Sequence, residues 1–259
     1  MSNFVISADG KTFEKYIGTD VHVIVPDGVE KIGYEAFRMS KVESVKLPEG
    51  IKEISSYAFY GCMSLKNLNI PDSIEFIGIE PFGQCLHLKE LQLPNKKISF
   101  ADAAFRNTYF SSFSLPDHTE EIRDNMFNGS MNLNMITIPS KVKAICQYAF
   151  NWCTSLRVVH IKNGVESIMH RAFYKAISLQ EVHIPESVTV LGSCAFELCE
   201  CLKDVYVDWK SFPDFIKDND NLFTGVCLKY VTLHVPHGTI EMYKSHPSFS
   251  KFAVIKEID

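Results

Sequence analysis

The amino-acid sequence predicts an α+β repeat solenoid, in which short parallel strands stack into a sheet and a cap covers each end. Three observations predict this fold class. An anchor residue, usually proline after an apolar-x-apolar triplet, recurs every 22 or 23 residues. A phenylalanine lies eleven residues after each anchor, and each unit closes with Leu-x-x-apolar-x-apolar. A period of this length is typical of repeat architectures.

The repeat is regular enough to align position by position. The anchors are Pro26, Pro48, Pro71, Pro94, Pro116, Pro139, Lys162 and Pro185. The phenylalanine column is Phe37, Phe59, Phe82, Phe105, Phe127, Phe150, Phe173 and Phe196. A small-residue column fourteen positions after the anchor is Ser40, Cys62, Cys85, Thr108, Ser130, Cys153, Ala176 and Cys199. One unit cannot bury its own apolar face, so we expect stacked units to share one continuous core.

The ends differ from the repeat and predict caps. Asp9-Gly10 between apolar segments indicates a hairpin, so we expect an N-terminal β cap over residues 1–20. Eight units then occupy residues 21–207, and residues 208–259 form a C-terminal cap.

Within the C-terminal cap, apolar residues at roughly helical spacing predict a helical insertion after Asp208. These residues are Trp209, Phe212, Phe215, Leu222 and Phe223. We expect a strand over residues 231–235, a short helix capped by Thr239 and ending at Lys244, and a terminal strand from Phe252 to Ile258.

The fourth unit departs from the pattern, with Lys97 and Phe100 in place of aliphatic residues and one residue fewer before Phe110. Its neighbour has Thr119 and Arg123 at positions that are Val and Gly in other units. We expect this unit to be distorted and the solenoid to bend near residues 95–125. A binding role and simple sequence drift are both open explanations.

Two units, residues 48–70 and 71–93, nearly match Pro-x-x-Val-x-x-Ile-Gly-x-x-Ala-Phe-x-x-Cys-x-x-Leu-x-x-Leu-x-Ile. This pattern resembles the BspA-like leucine-rich repeats of bacterial and some protist proteins. The resemblance covers residues 21–207 and continues into Leu233–Thr239 and Tyr243. It implies a right-handed leucine-rich-repeat superhelix with a concave parallel sheet. It also implies protein–protein interaction, often in adhesion or host contact.

The outward-facing positions of the closing strands form two rows on the expected concave face. The first row is Ser44, Asn67, Glu90, Ser112, Met135, Val158, Glu181 and Asp204. The second row is Lys46, Asn69, Gln92, Ser114, Thr137, His160, His183 and Tyr206, with His234 as its continuation. An apolar spot beside imidazole and phenol rings is typical of a modest protein-binding patch. The candidate partner-binding residues are therefore Met135, Val158, His160, His183, Tyr206 and His234. The alternative is ordinary solvated surface.

Charge and composition narrow the function classes. Lys and Arg total 26 against 31 Asp and Glu, so the net charge of −5 disfavours nucleic acid as a partner. No apolar run approaches the roughly 18 residues of a membrane span. The sequence as written shows no export signal, which predicts a cytoplasmic protein, whereas the resemblance implies a secreted or cell-surface one. We expect a monomer.

The sequence contains none of the phosphate-binding, nucleotide-binding, metalloprotease or nucleophile-elbow motifs, so we expect no enzyme activity and no cofactor. Cys194, Cys199, Cys201 and Cys227 cluster in sequence without a Cys-x2-Cys pair, which favours free thiols over a metal site. Free thiols are also expected for Cys62 and Cys85. A non-catalytic interaction scaffold is the leading hypothesis. A carbohydrate binder, supported only by Tyr206, is second, and an enzyme or metal site using Cys and His is third.

Overall fold

The computed structural model describes residues 3–216 and 221–258, and their strands form two parallel ladders on opposite sides of a shared core. The back ladder contains β1 (Phe4–Ile6), β2 (Thr12–Tyr16), β4 (Lys31–Ile32), β6 (Glu53–Ile54), β8 (Phe76–Ile77), β9 (Ser99–Phe100), β10 (Glu121–Ile122), β12 (Ala144–Ile145), β14 (Ser167–Ile168) and β16 (Val190–Leu191). The front ladder contains β3 (His22–Ile24), β5 (Ser44–Lys46), β7 (Asn67–Leu68), β11 (Met135–Ile138), β13 (Val158–Ile161), β15 (Glu181–Ile184), β17 (Asp204–Val207), β18 (Thr232–Val235) and β19 (Val254–Glu257). The predicted solenoid is confirmed.

The chain begins with the expected hairpin. Strands β1 and β2 pair antiparallel, with Phe4 opposite Tyr16, and the amide of Gly10 donates to Ser7 O at 2.9 Å. Gly10 has a φ of 75°, which glycine adopts without a steric penalty. Strand β2 then pairs in parallel with β4, so the hairpin is also the first rung of the back ladder.

The core is a continuous stack of phenylalanine rings. Neighbouring rings from Phe37 to Phe196 lie between 4.9 and 6.4 Å apart, and most are nearly parallel. The stack is longer than the sequence predicts, because Phe13 contacts Phe37 at 4.7 Å and Phe223 contacts Phe196 at 5.5 Å. Residues from outside the eight units, Phe13 before them and Phe223 after them, therefore extend the column at both ends.

The small-residue column has a second role as a hydrogen-bond donor. The thiols of Cys62, Cys85, Cys153 and Cys199 donate to the main-chain carbonyl of the phenylalanine one unit earlier, at 2.9–3.2 Å. Ser130 Oγ makes the equivalent bond to Phe105 O at 2.8 Å. The column thus adds a hydrogen bond between units to carbonyls that already accept one within their own turn, as Phe37 O does from Ser40 N at 2.9 Å.

The turn edge, which joins each back strand to the next front strand, keeps the coil regular. Each unit has left-handed residues nine and thirteen positions after the anchor, such as Tyr148 and Trp152, both with a φ of 57°. Backbone amides along this edge donate to the next unit, as Phe150 N does to Ala172 O at 2.7 Å. These bonds continue through every unit, including the fourth.

Both ladders are interrupted at the fourth unit, as its irregular sequence predicts. Strand β9 does not pair with β10, and no front-ladder strand lies between β7 and β11 in this described part of the chain. Phe100, Phe110 and Phe113 replace smaller aliphatic residues here, and all three rings pack around Phe105 at 4.5–6.3 Å. These larger side chains fill the core and separate the strands around them.

The prediction of a helical insertion after Asp208 is wrong for the described residues. The segment contains two 3-10 turns, Asp214–Ile216 and Leu228–Tyr230, while residues 217–220 lie outside the described ranges. Pro213 has no backbone N–H, so it cannot donate the hydrogen bond that a position inside a helix requires. The apolar spacing instead reflects core packing, since Trp209 is buried and Phe223 joins the phenylalanine column.

The rest of the C-terminal segment matches expectation. Strand β18 covers most of residues 231–235, α1 spans Ile240–Ser245, and β19 lies within the predicted terminal strand. Thr239 does occupy the N-cap position, but it makes no side-chain capping bond. Its hydroxyl donates to Pro236 O at 2.6 Å instead, so the proposed capping interaction is wrong.

Candidate functional site

The front ladder after the interruption presents the candidate residues together on its solvent side. Along β11 the burial alternates, with Ile136 and Ile138 inward and Met135 and Thr137 outward. Parallel pairing brings Met135 opposite Val158, and His183 opposite Tyr206, which in turn lies opposite His234. His160 lies opposite Thr137 on the neighbouring strand. The six candidates thus occupy two adjacent rows.

The first half of the predicted rows is less regular. Glu90, Gln92, Ser112 and Ser114 were expected in strands but lie in irregular backbone at the interruption. Their side chains are exposed, as predicted, but the prediction that they lie in strands is wrong. The candidate site is therefore confined to the ladder from β11 onward.

Three aromatic rings form a contiguous strip at the end of the second row. Tyr206 and His234 stack with centroids 4.2 Å apart and planes 9° apart, and His183 lies 5.9 Å from Tyr206 on the other side. Desolvation, followed by the nearby Asp204 and Glu181 carboxylates, raises the pKa of the Tyr206 phenol. The phenol stays neutral at physiological pH and can donate a hydrogen bond.

Two aspartates fix the imidazoles at the ends of the strip. His183 Nε2 lies 2.9 Å from both carboxylate oxygens of Asp208, and His234 Nε2 lies 2.8 Å from Asp204 Oδ1. Sequence reasoning missed these pairs. The sequence did indicate them, because Asp204, Tyr206 and Asp208 recur at every second position and therefore lie on one face of a strand.

The apolar end of the site is formed by Met135 and Val158. Met135 is 53% exposed, and Val158 is half-buried beside it in register. Exposed apolar side chains next to anchored polar rings form a patch that can exclude water on binding. Chemically, the site offers an apolar contact area beside imidazole and phenol groups that can form hydrogen bonds.

The cysteine cluster does not converge. Cys199 is buried and donates to Phe173 O at 3.2 Å, whereas Cys201 and Cys227 are exposed. Within residues 3–216 and 221–258, no group of three or more Cys, His, Asp or Glu side chains is placed to hold a metal ion. Every helix in these ranges is too short or too polar to reach across a lipid bilayer.

Solved structures with the same fold come from bacteria. A leucine-rich repeat protein of T. pallidum is 21% identical, with 77% of this chain and 86% of that chain covered and a TM-score of 0.59. A leucine-rich cell surface protein of Faecalibacterium prausnitzii is 22% identical, with 99% and 93% covered and a TM-score of 0.53. A leucine-rich repeat protein of Bacteroides ovatus is 20% identical, with 100% and 99% covered and a TM-score of 0.50.

Among curated protein sequences, none matches this chain. A family model for the BspA type leucine-rich repeat region matches residues 10–134 and 120–245, with six copies of the repeat. Together these matches span most of the chain and coincide with the stacked units described above. The chain belongs to the BspA-type leucine-rich repeat family.

Proposed function

We propose that this chain is a non-catalytic scaffold that binds a protein partner on the front ladder. The contact residues are Met135, Val158, His160, His183, Tyr206 and His234. The observation that carries the proposal is the fixed strip of His183, Tyr206 and His234, which lies in the row adjacent to that of the apolar pair. The caps at residues 1–20 and 208–259 would seal the eight units between them.

The geometry favours a protein partner over a carbohydrate. Sugar binding commonly uses an open aromatic face, but the Tyr206 ring is covered by the His234 ring at 4.2 Å. A catalytic role for the column thiols is disfavoured as well, since they are buried and donate to carbonyls. Adhesion or host contact at a cell surface is the setting that we propose, as one structural neighbour is described as a cell surface protein.

The test compares the wild type, a site variant and a control variant as affinity bait. The site variant replaces His160, His183 and Tyr206 with Ala. The matched control replaces Lys46, Asn67 and Gln92, exposed residues of the same rows that lie outside the ladder from β11 onward, with Ala. We expect the control variant and the wild type to retain one partner and the site variant to lose it.

Both variants should melt close to the wild type, because the substituted side chains lie on the outward side of the front ladder and contribute little to the core. A partner that binds the site variant as well as the wild type would refute the front-ladder site.

A further inference from the structure

A groove of about 700 Å³ lies at the interruption of the back ladder, and its walls include Ile98, Phe100, Glu121 and Arg123. It is separate from the front-ladder site. The groove lies where the fourth and fifth units part along the back ladder. At the turn edge they remain bonded, with Ala103 N donating to Asp124 O at 2.8 Å.

The walls of the groove are strand edges with open hydrogen-bond positions. In the regular third unit, Phe76 N donates to Lys52 O at 3.0 Å and Gly78 N donates to Ile54 O at 2.8 Å. The equivalent groups here are Glu121 N with Ile98 O, and Arg123 N with Phe100 O. Across the described residues, neither pair forms a backbone hydrogen bond.

The open carbonyl and amide groups of the two strand edges are placed to form hydrogen bonds with an extended peptide. Its amides would donate to Ile98 O and Phe100 O, spaced as in the intact rungs, and its carbonyls would accept from Glu121 N and Arg123 N. Strand addition of this kind draws affinity from main-chain bonds and specificity from alternate side chains. The groove volume is within the usual range of ligand sites.

The Lys141 ammonium favours an acidic peptide. Four cationic side chains line the groove (Lys97, Arg123, Lys141 and Lys143) against two anionic ones (Glu120 and Glu121). Three of the cations are already paired with a carboxylate at 2.6–2.8 Å: Lys97 with Glu120, Arg123 with Asp102 and Lys143 with Glu166. Lys141 differs, because its Nζ contacts His118 Nδ1 at 2.9 Å rather than a carboxylate, and it can meet an incoming acid.

We propose that this groove binds an extended acidic segment of a partner protein as an added strand between β9 and β10. The proposal goes beyond the front-ladder function and is tested separately from it. The His160, His183 and Tyr206 triple alanine variant should bind such a segment as well as the wild type.

The probe is the synthetic peptide acetyl-Glu-Val-Glu-Thr-Glu-Val-amide, titrated into the full chain and followed by backbone NMR and hydrogen exchange. We expect saturable binding, with the amides of Glu121 and Arg123 becoming protected. The same peptide N-methylated at alternate residues keeps its charge but loses donors, so it should not bind. A failure of the first peptide to bind would refute the proposal.

Two lysine variants test the charge argument. Lys141→Glu should weaken binding by about tenfold or more, because like charges disfavour association. Lys46→Glu, on the front ladder, makes the same charge change away from the groove and should leave affinity unchanged. Equal binding of the N-methylated peptide, or unchanged exchange at Glu121 and Arg123, would show charge attraction without strand addition and overturn the proposal.

Discussion

At Phe150, one side chain links three repeat units. Its ring lies 5.2 Å from both Phe127 and Phe173, nearly parallel to each, and is fully buried. Replacement by Ala removes both contacts and leaves a cavity, so we expect Phe150→Ala to lower the free energy of unfolding by about 3–5 kcal/mol. Chemical denaturation followed by circular dichroism measures this loss.

The control is Arg157→Ala, an exposed substitution on the front side of the next closing segment. It should change the free energy of unfolding by no more than about 0.5 kcal/mol. A loss under about 1 kcal/mol at Phe150 would mean that the phenylalanine column is not the main source of stability.

The thiols of the small-residue column should be unreactive in the folded protein. Burial raises the pKa of the Cys62 thiol to about 11, and it raises the pKa of Cys153 and Cys199 as well. Since the thiolate is the nucleophile, iodoacetamide at pH 8 should modify Cys201 and Cys227 first. After denaturation without reductant, mass spectrometry should find all eight cysteines modified.

Early modification of Cys62 or Cys153 in the native state would contradict the packing described here, and a bridged Cys62–Cys85 peptide would contradict the assignment of free thiols.

The sequence shows that this column contains only small side chains. Its donor role was also readable, since seven of its eight residues carry a hydroxyl or thiol, with Ala176 the exception.

At the scale of single elements, the open edges of β9 and β10 should be visible in the free protein. Within the described part of the chain, the amides of Glu121 and Arg123 have no backbone acceptor, whereas the equivalent Ser167 N and Met169 N donate to Lys143 O and Ile145 O. We therefore expect hydrogen exchange to be much faster at Glu121 and Arg123 than at Ser167 and Met169. Equal protection at the four amides would show that the back ladder is continuous in solution.

The elements also show where sequence reasoning succeeds and where it fails. Repeat columns predicted the front strands because the same inward position recurs in the closing segments, as at Val159 and Val182. The segment after Asp208 has no second copy, so its apolar spacing was ambiguous between a helix and irregular core packing. The pairing of Phe223 with the column depended on a 27-residue step from Phe196, which a fixed period could not detect.

For the whole molecule, the double interruption divides the ladders into two blocks that share the phenylalanine column and the turn edge. Because stability in a solenoid is largely a sum of nearest-neighbour terms, a weakened interface reduces cooperativity. We expect urea unfolding monitored by hydrogen exchange to resolve two steps. Phe59→Ala should shift only the step of the N-terminal block, and Phe173→Ala only the other.

A single transition that both variants shift equally would show that the phenylalanine column alone couples the two blocks.

The sequence indicated the irregular unit at residues 95–125, because several repeat positions there carry atypical residues. It could not indicate that the turn edge stays intact there, since those bonds use backbone groups that every residue carries.

The N-terminal hairpin and the back ladder join strands that are close together in the sequence. Strands β1 and β2 pair with each other within residues 4–16. Back strands of the regular units pair with one 22 or 23 residues earlier, as β6 does with β4 and β8 does with β6. Each added turn therefore closes a short loop, so its entropic cost is low, and contacts of this kind favour rapid folding.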